Sequence, residues 1–463
     1  MGLNDHILGY IHFTSVQKGP MNPHAAPVSH PPSEQDGILA AGQPSPRLST
    51  VAMLRAATPQ QRRTLLAAAL GWMLDSMDVM LYAMAASSLQ RELHMSAATS
   101  GLVMSCTLIA AAVGGILLGR FADRAGRTRA LLVSMLLYSV FTGLTGLVHT
   151  VPQLFLCRIL LGLGMGGEWA AGAALVAETW PDEYRSRVLS IVQSFWAVGY
   201  ALGAGLTAII LPHFSLHMGW RVLFFAGTFP ALATLWVRRS VQEPEMWASK
   251  QQQAAATPLS AIFHGGLKSG SLGRSTILAT AMNAATLFAW WGLFFWIPGF
   301  LSQPVAQGGR GLSIVHTSLW TMLMQAGTFA GYLSFGPAAE RFGRKRAYIG
   351  YLVAAAVAVP MYAATSSPTA LLLLGPVVGF FGTGYFSGFA VITAELFPTA
   401  LRTTAMGFCY NLGRIASAAA PYAIGRLSQG HGIAAALSLT SAGFLVAAVL
   451  AAILPETRGR RLM

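Results

Sequence analysis

One eleven-residue turn constrains this chain more than any other stretch, because it occurs twice and each copy separates two apolar runs of bilayer-crossing length. The first copy is Gly119-Arg120-Phe121-Ala122-Asp123-Arg124-Ala125-Gly126-Arg127-Thr128-Arg129. The second, 217 residues on, is Gly336-Pro337-Ala338-Ala339-Glu340-Arg341-Phe342-Gly343-Arg344-Lys345-Arg346, which keeps the glycine, acidic, arginine and final basic positions. The same displacement carries Glu178, Pro181 and Arg185 onto Glu395, Pro398 and Arg402. Agreement of four separate loops on one spacing marks a duplicated unit.

The solvent of that unit follows from composition. The chain of 463 residues is 54% hydrophobic and 10% charged, with a mean hydropathy of +0.55, where soluble domains carry about 25% charged residues. Most of it must therefore face lipid. Lipid leaves no partner for a free backbone N–H or C=O, and apolar runs of about 20 residues suit helices rather than barrel strands of about 10. The fold class expected is an all-α membrane protein. A net charge of +14 raises the question of nucleic acid, but the basic residues sit in short loops between apolar runs and not on one soluble face. No nucleic-acid partner is expected. Cys106, Cys157 and Cys409 all fall inside apolar runs, with no disulfide or metal spacing. No nucleophile cluster, metal-ligand set or nucleotide-binding loop is visible, so neither an enzyme nor a cofactor is expected.

The apolar runs are 64–86, 97–119, 130–149, 153–175, 187–210 and 220–238, then 275–301, 314–336, 347–365, 369–392, 403–425 and 432–454. Twelve transmembrane helices in two pseudo-symmetric six-helix bundles result. Residues 1–60 read as a disordered N-terminal tail, 61–238 as the first bundle, 239–274 as a polar linker, 275–454 as the second bundle and 455–463 as a short tail. No cleaved leader is expected. Four basic residues occupy each copy of the turn, Arg62 and Arg63 precede the first run, and Arg458, Arg460 and Arg461 follow the last. The excess of lysine and arginine in these loops places both termini in the cytoplasm, with the chain in a cell or bacterial inner membrane.

The paired turns resemble those of the major facilitator superfamily of secondary transporters. That resemblance implies a latch at the cytoplasmic face, closed while the outer face is open and broken when the halves rock. Its members here would be Gly119, Asp123, Arg124, Gly126, Arg127, Glu178 and Arg185, with Glu340, Arg341, Gly343, Arg344, Glu395 and Arg402 in the second copy. Arg124 with Glu178 and Arg341 with Glu395 are the pairs expected. The alternative is that these loops are basic for orientation alone.

Deeper charges cost at least about 2.5 to 3.5 kcal/mol each near the bilayer centre and need a partner or water. Asp75 and Asp78 are three residues apart and share one helix face. At about 1.5 Å per residue they lie roughly 16 and 21 Å deep, and Arg158, entering from the other side, comes to roughly 22 Å. Asp78 and Arg158 are level and are expected to pair. Protonating the aspartate would release the arginine; the alternative is a fixed brace. Two carboxylates on one face repel when both are ionised, which favours a proton on one of them. Glu168, after Gly162, Gly164, Gly166 and Gly167, is a second proton site or a structural acid. Asp75, Asp78, Arg158 and Glu168 are the proton-coupling candidates.

Arg414 lies near the midplane with no acid at its depth in its own half, and a planar guanidinium matches a carboxylate at two points. It is the substrate candidate, unless it pairs across the halves with Asp75 or Glu168. Asn411, Tyr385, Gln193, Trp196, Gln325 and Tyr82 join it as candidate cavity residues, each of which could instead serve helix contact, as could Asn283. Trp290-Trp291-Gly292-Leu293-Phe294-Phe295-Trp296, near the outer end of its helix, reads as an interfacial aromatic belt, with a ring-stacking pocket as the alternative. Gly71-Trp72 with Asp75 and Asp78, the stretch from Arg158 to Trp169, and Ala177-Glu178-Thr179-Trp180-Pro181 resemble the organic-acid:proton symporter branches, the sialate, aromatic-acid and metabolite families among them. The resemblance implies a monomer that carries a small carboxylate with protons across the lipid bilayer. Sugar or polyol symport, drug efflux and a nutrient sensor on the same scaffold are the alternatives.

Overall fold

The computed structural model describes residues 50–228, 236–237, 239–243, 261–264, 272–397 and 399–457. Residues 1–49 of the expected tail, 244–260 and 265–271 of the expected linker, and 458–463 lie outside them. Thr50–Ala56 is helical. Every regular element among the described residues is a helix, and the described residues from Met53 onward pack as one unit.

The first half comprises α1 (Pro59–Glu92), α2 (Ala97–Ala125), α3 (Arg127–Thr145), α4 (Val151–Thr179), α5 (Asp182–Ile210) and α6 (Leu216–Ala226). The second comprises α7 (Leu272–Phe294), α8 (Ile314–Phe342), α9 (Arg344–Ala364), α10a (Pro368–Gly384) with α10b (Phe386–Leu396), α11a (Thr399–Ser417) with α11b (Ala419–His431), and α12 (Ile433–Ile453). Nine helices among the described residues are long and apolar enough to cross a membrane. The other three of the expected twelve are α6, described over 11 residues, α8, which is 29 residues long, and α11, which comes in two pieces.

Local chemistry sets where these helices start. Thr58 and Gln61 form a reciprocal capping box ahead of α1, with Pro59 at its first position, where a missing N–H is harmless. Ser96 and Ser313 accept the N–H groups of Thr99 and His316 to start α2 and α8. Gly126 and Gly343 end one helix and begin the next at φ of +113° and +96°, a backbone shape that side chains with a Cβ rarely adopt. Each repeated turn is therefore built on its glycine.

Breaks are concentrated in the second half. The run expected as one helix over 275–301 stops at Phe294, turns through Phe295 and Trp296, and resumes as a short helix, Ile297–Ser302, with Pro298 near its start. The runs at 369–392 and 403–425 break at Tyr385 and Ala418. Pro421 lies just inside α11b, where its missing N–H is tolerated.

Helices cross where glycines let backbones meet. A Cβ on Gly114 would strike the carbonyl of Leu163, and one on Gly166 the carbonyl of Ala111, which joins α2 to α4. In the second half a Cβ on Gly331 would strike the carbonyl of Phe380 and one on Gly327 that of Pro376, which joins α8 to α10a. Between the halves, α5 packs on α8 and α2 on α11b. The periphery carries large exposed apolar side chains such as Ile209, Leu373 and Val449. Such a surface suits hydrocarbon rather than water.

Candidate functional site

The site has three layers, taken here from the first half's interior, through the central cavity, to the basic turns. Asp78 and Arg158, expected to be level, meet at 2.9 Å between Oδ2 and Nη1. The other carboxylate oxygen accepts the Thr142 hydroxyl at 2.6 Å. The guanidinium lies 4.5 Å from the ring centre of Tyr82 and 4.9 Å from that of Phe224, an attraction between a cation and a ring quadrupole. Its Nε and Nη2 have no hydrogen-bond partner among the described residues.

Asp75 sits one turn earlier on α1 and is 1% exposed, yet neither of its oxygens has a hydrogen-bond partner among the described residues. Oε2 of Glu168 and the Tyr138 hydroxyl are likewise buried without one. The Glu168 carboxyl lies against Gly71, where any Cβ would collide with its Oε1. Asp75 and Glu168 stand within electrostatic reach of each other, and Asp75 within reach of Arg414. The helices thus gather the proton-coupling candidates into one buried group on α1 and α4, with Tyr138 of α3 beside them.

Beside that group is a small cavity with about 20 Å³ of water-accessible space. Trp72, Gln193 and Trp196 line it from the first half, and Leu287, Trp290, Trp291, Tyr332, Phe386, Tyr410 and Arg414 from the second. The indoles form a chain, with ring centres 4.6 Å apart for Trp72 and Trp196, 5.7 Å for Trp196 and Trp290, and 4.7 Å for Trp290 and Trp291. Arg414 is 2% exposed. Its Nη2 donates to the Tyr410 hydroxyl at 2.9 Å, and the guanidinium stands 4.9 Å from that ring's centre. Its Nε has no partner and no carboxylate lies within 4.0 Å of it among the described residues. Such a buried cation, walled by aromatic rings, suits a planar anion.

At the basic end, Glu178 of α4 meets Arg127 at 3.1 Å and Glu395 of α10b meets Arg344 at 3.4 Å. Arg124 and Arg341 are the partners that the sequence suggests for these acids. Gly126 and Gly343 turn the chain so that Arg127 and Arg344 open the following helices, beside the ends of α4 and α10b. Two acids beyond the expected set complete the turns. Glu243 accepts the backbone N–H groups of Arg127, Thr128 and Arg129 at 2.7, 3.0 and 3.3 Å. Glu456 accepts those of Arg344 and Lys345 at 3.1 and 3.3 Å. Each carboxylate sits at the positive end of a helix dipole. Gly119 and Gly336 face open space, Glu340 and Arg341 are exposed, and the side chains of Asp123 and Arg402 lie outside the described ones.

The sequence profile of the Major Facilitator Superfamily matches residues 68–334 and again 299–461. The chain belongs to the major facilitator superfamily. The cis,cis-muconate transport protein of Acinetobacter baylyi is 30% identical over 392 residues, 83% of this chain and 92% of that one. The sialic acid transporter of Escherichia coli is 28% identical, over 85% of this chain and 93% of its own. The crystal structure of a D-xylose–proton symporter superposes with a TM-score of 0.70 at 20% identity, covering 87% of this chain and 100% of that one. This superfamily member is therefore a multi-pass membrane transporter and not an enzyme, with the twelve-helix, two-bundle fold of its family.

Within the transporter, the cavity gathers only part of the expected set. Arg414, Gln193 and Trp196 line it. Tyr82 does not, since its hydroxyl donates to the Ser100 carbonyl at 3.1 Å and its ring lies by Arg158. Tyr385 is fully buried, donating to the Thr286 carbonyl at 3.2 Å. Asn411 donates to the Gly407 carbonyl of its own helix at 3.0 Å, and Asn283 ties α7 to the Cys409 carbonyl at 3.1 Å. Gln325 is buried in α8 with Nε2 unpartnered. The aromatic stretch 290–296 is no interfacial belt: its aromatic rings are at most 4% exposed, and Trp290 and Trp291 line the cavity from within α7. Tyr410, one helical turn before Arg414, carried a signal in its spacing; Tyr332 and Phe386 carried none.

Proposed function

We propose that this transporter carries a small, planar organic acid into the cell together with protons, by alternating access of its two halves to the central cavity. The observation that carries the reading is Arg414, a buried guanidinium in a cavity walled by indole rings with no carboxylate within ion-pair distance among the described residues. A substrate carboxylate completes it, and the rings of Trp72, Trp196, Trp290 and Trp291 stack on the planar body. Gln193 of the lining supplies a further polar contact, and Gln325, Asn411, Tyr385 and Tyr82 hold the helices that shape the cavity. The muconate and sialate carriers among the relatives support a carboxylate.

Asp75, Asp78 and Glu168 are the groups that take up protons, with Arg158 as the counter-charge of Asp78. Ionised Asp75 attracts Arg414 across the cavity. Protonation frees the guanidinium for the substrate, which links the two loads. The basic turns face the cytoplasm, where their lysine and arginine excess belongs. There Arg127–Glu178 and Arg344–Glu395, with Asp123, Arg124, Arg185, Glu340, Arg341 and Arg402 around them, latch the inner face.

Purified protein in liposomes with an imposed pH gradient tests this. Labelled cis,cis-muconate or nicotinate should accumulate against its gradient, stop when a protonophore is added, and fail to accumulate in Asp78→Asn. Uptake of either acid that ignores the pH gradient, or uptake of xylose in preference to both, sinks the reading.

A further inference from the structure

The Asp78–Arg158 pair does not end at its own helices. Arg158 lies 4.5 Å from the centre of the Tyr82 ring, and that ring stacks on Phe295 at 5.6 Å with 26° between planes. Phe295 is in the break of α7, at the end of the bundle away from the basic turns. That break is seated on the first half at neighbouring points. The Tyr200 hydroxyl donates to the Phe294 carbonyl at 3.0 Å, and the short helix Ile297–Ser302 packs on α1. Within the second half, Trp296 Nε1 donates to the Pro421 carbonyl at 3.1 Å, beside the contact of Gly101 with Pro421 that closes α2 on α11b. An unbroken line of contact therefore runs from a buried ion pair to the seam between the halves.

We propose that Tyr82 and Phe295 are positioning residues that couple the Asp78–Arg158 pair to closure of this far end, so that protonating Asp78 releases it. The proposal rests on the proton-coupled reading above. With Asp78 ionised, the guanidinium is held between the carboxylate and the rings of Tyr82 and Phe224. Two of its nitrogens have no other partner among the described residues, so nothing else there fixes its place. Once Asp78 is neutral, charge attraction to the carboxylate is gone and the guanidinium turns toward another acceptor. Tyr82 then loses the cation over its ring, and the α7 break loses the platform on which Phe295 rests. The Tyr82 hydroxyl stays on the Ser100 carbonyl, so the motion is one of the ring's partners and not of its anchor.

Other titratable groups face the pair. Asp75 and Tyr82 share α1 with Asp78, Tyr138 approaches from α3 beside Thr142, and Cys157 neighbours Arg158 on α4. Glu168 acts on the same group through Asp75 and Tyr138. Phe224 of α6 brings no charge. Asp78→Asn separates the contribution of Asp78 from all of these.

The test needs no substrate. With Cys106, Cys157 and Cys409 replaced by alanine, spin labels at Leu147→Cys and Val305→Cys, both exposed at the far end, report its width in nanodiscs by pulsed dipolar spectroscopy. The ratio of wide to narrow distances should rise at least about tenfold as the pH is lowered across the range in which the protein stays folded, as expected when one proton biases two states. Asp78→Asn, Tyr82→Leu and Phe295→Leu should each reduce that change to less than about twofold, while Tyr82→Phe, which keeps the ring, should behave as the parent. A purely packing role for the two rings would lower stability and leave the pH response intact. If Tyr82→Leu fails to fold, Phe295→Leu carries the test. A parent whose distances ignore pH, or a Phe295→Leu protein that keeps the parent's response, overturns the proposal. Liposome uptake reports separately: distances that follow pH in a protein showing no proton-driven uptake keep this link and remove the symport reading.

Discussion

The two halves of the transporter agree at their edges and differ inside. Gly114 against the Leu163 carbonyl is matched, 217 residues on, by Gly331 against the Phe380 carbonyl. Arg127–Glu178 is matched at the same displacement by Arg344–Glu395, and Glu243 has its counterpart in Glu456. The interiors share nothing of the kind. Among the described residues the first half buries Asp75, Asp78, Arg158 and Glu168, while the second buries one cation, Arg414, among aromatic rings. Backbone crossings and turns are fixed by geometry that both copies need, whereas a single central cavity needs each chemical role only once. On the function proposed here, protons load in the first half and the anion binds to the second.

The largest expected effect tests that division through stability. Arg158→Met leaves the Asp78 carboxylate buried with only the Thr142 hydroxyl, and should destabilise the protein by about 3–5 kcal/mol. Adding Asp78→Asn should recover much of that loss. Arg414→Met breaks no ion pair within 4.0 Å among the described residues and should cost less than Arg158→Met. Unfolding in detergent micelles, followed by heat or denaturant, measures all three. Equal losses at the two arginines would mean that both halves hold braced pairs and that the contrast is false.

Next in size is binding. Arg414→Gln should weaken the affinity for nicotinate or muconate about 100-fold, equivalent to about 2.8 kcal/mol. Arg414→Lys should recover part of this, since it restores the charge without the two-point fork. Isothermal titration at fixed pH reads the change. Unaltered affinity in Arg414→Gln would move the anion site away from the second half.

Much of this contrast was legible in the sequence, for a physical reason. Charges are so costly in lipid that the few in apolar runs had to be functional or paired, and helical rise alone put Asp78 level with Arg158. The duplicated turn gave the fold and the glycines on which it pivots. The cavity wall was less legible, because an aromatic residue looks alike in a belt, a helix contact and a binding pocket. Trp290 and Trp291 lie within α7, before its break, and which face of that helix meets the cavity is set by packing across the halves, which local spacing does not record. Glu243 and Glu456 escaped because their ligands are backbone N–H groups 114 to 116 and 111 to 112 residues away, which no local spacing records.

A smaller pair of effects sharpens the likeness of the frames. Gly114→Ala and Gly331→Ala each place a methyl group onto a facing backbone carbonyl, which cannot rotate aside as a side chain can. Each should cost about 1–3 kcal/mol, and the two losses should agree within error. A harmless substitution at one site with a damaging one at the other would show that only one of the two crossings, α2 on α4 or α8 on α10a, is tight.

The smallest expected effect separates the two turns from each other. Glu243→Gln and Glu456→Gln keep an acceptor oxygen but remove the charge that faces the start of α3 or α9, so each should cost about 0.5–1 kcal/mol. The losses should be unequal. Glu243 accepts from three N–H groups at the start of α3 and approaches one at 2.7 Å, whereas Glu456 accepts from two at the start of α9, at 3.1 and 3.3 Å, and divides its oxygens with the N–H of its neighbour Thr457 at 3.0 Å. Amide exchange should therefore quicken more at Arg127, Thr128 and Arg129 in the first variant than at Arg344 and Lys345 in the second, and added salt should shrink both differences. Equal quickening would mean that the two carboxylates hold their turns alike, and the likeness of the frames would then extend to the strength of the caps and not only to their position.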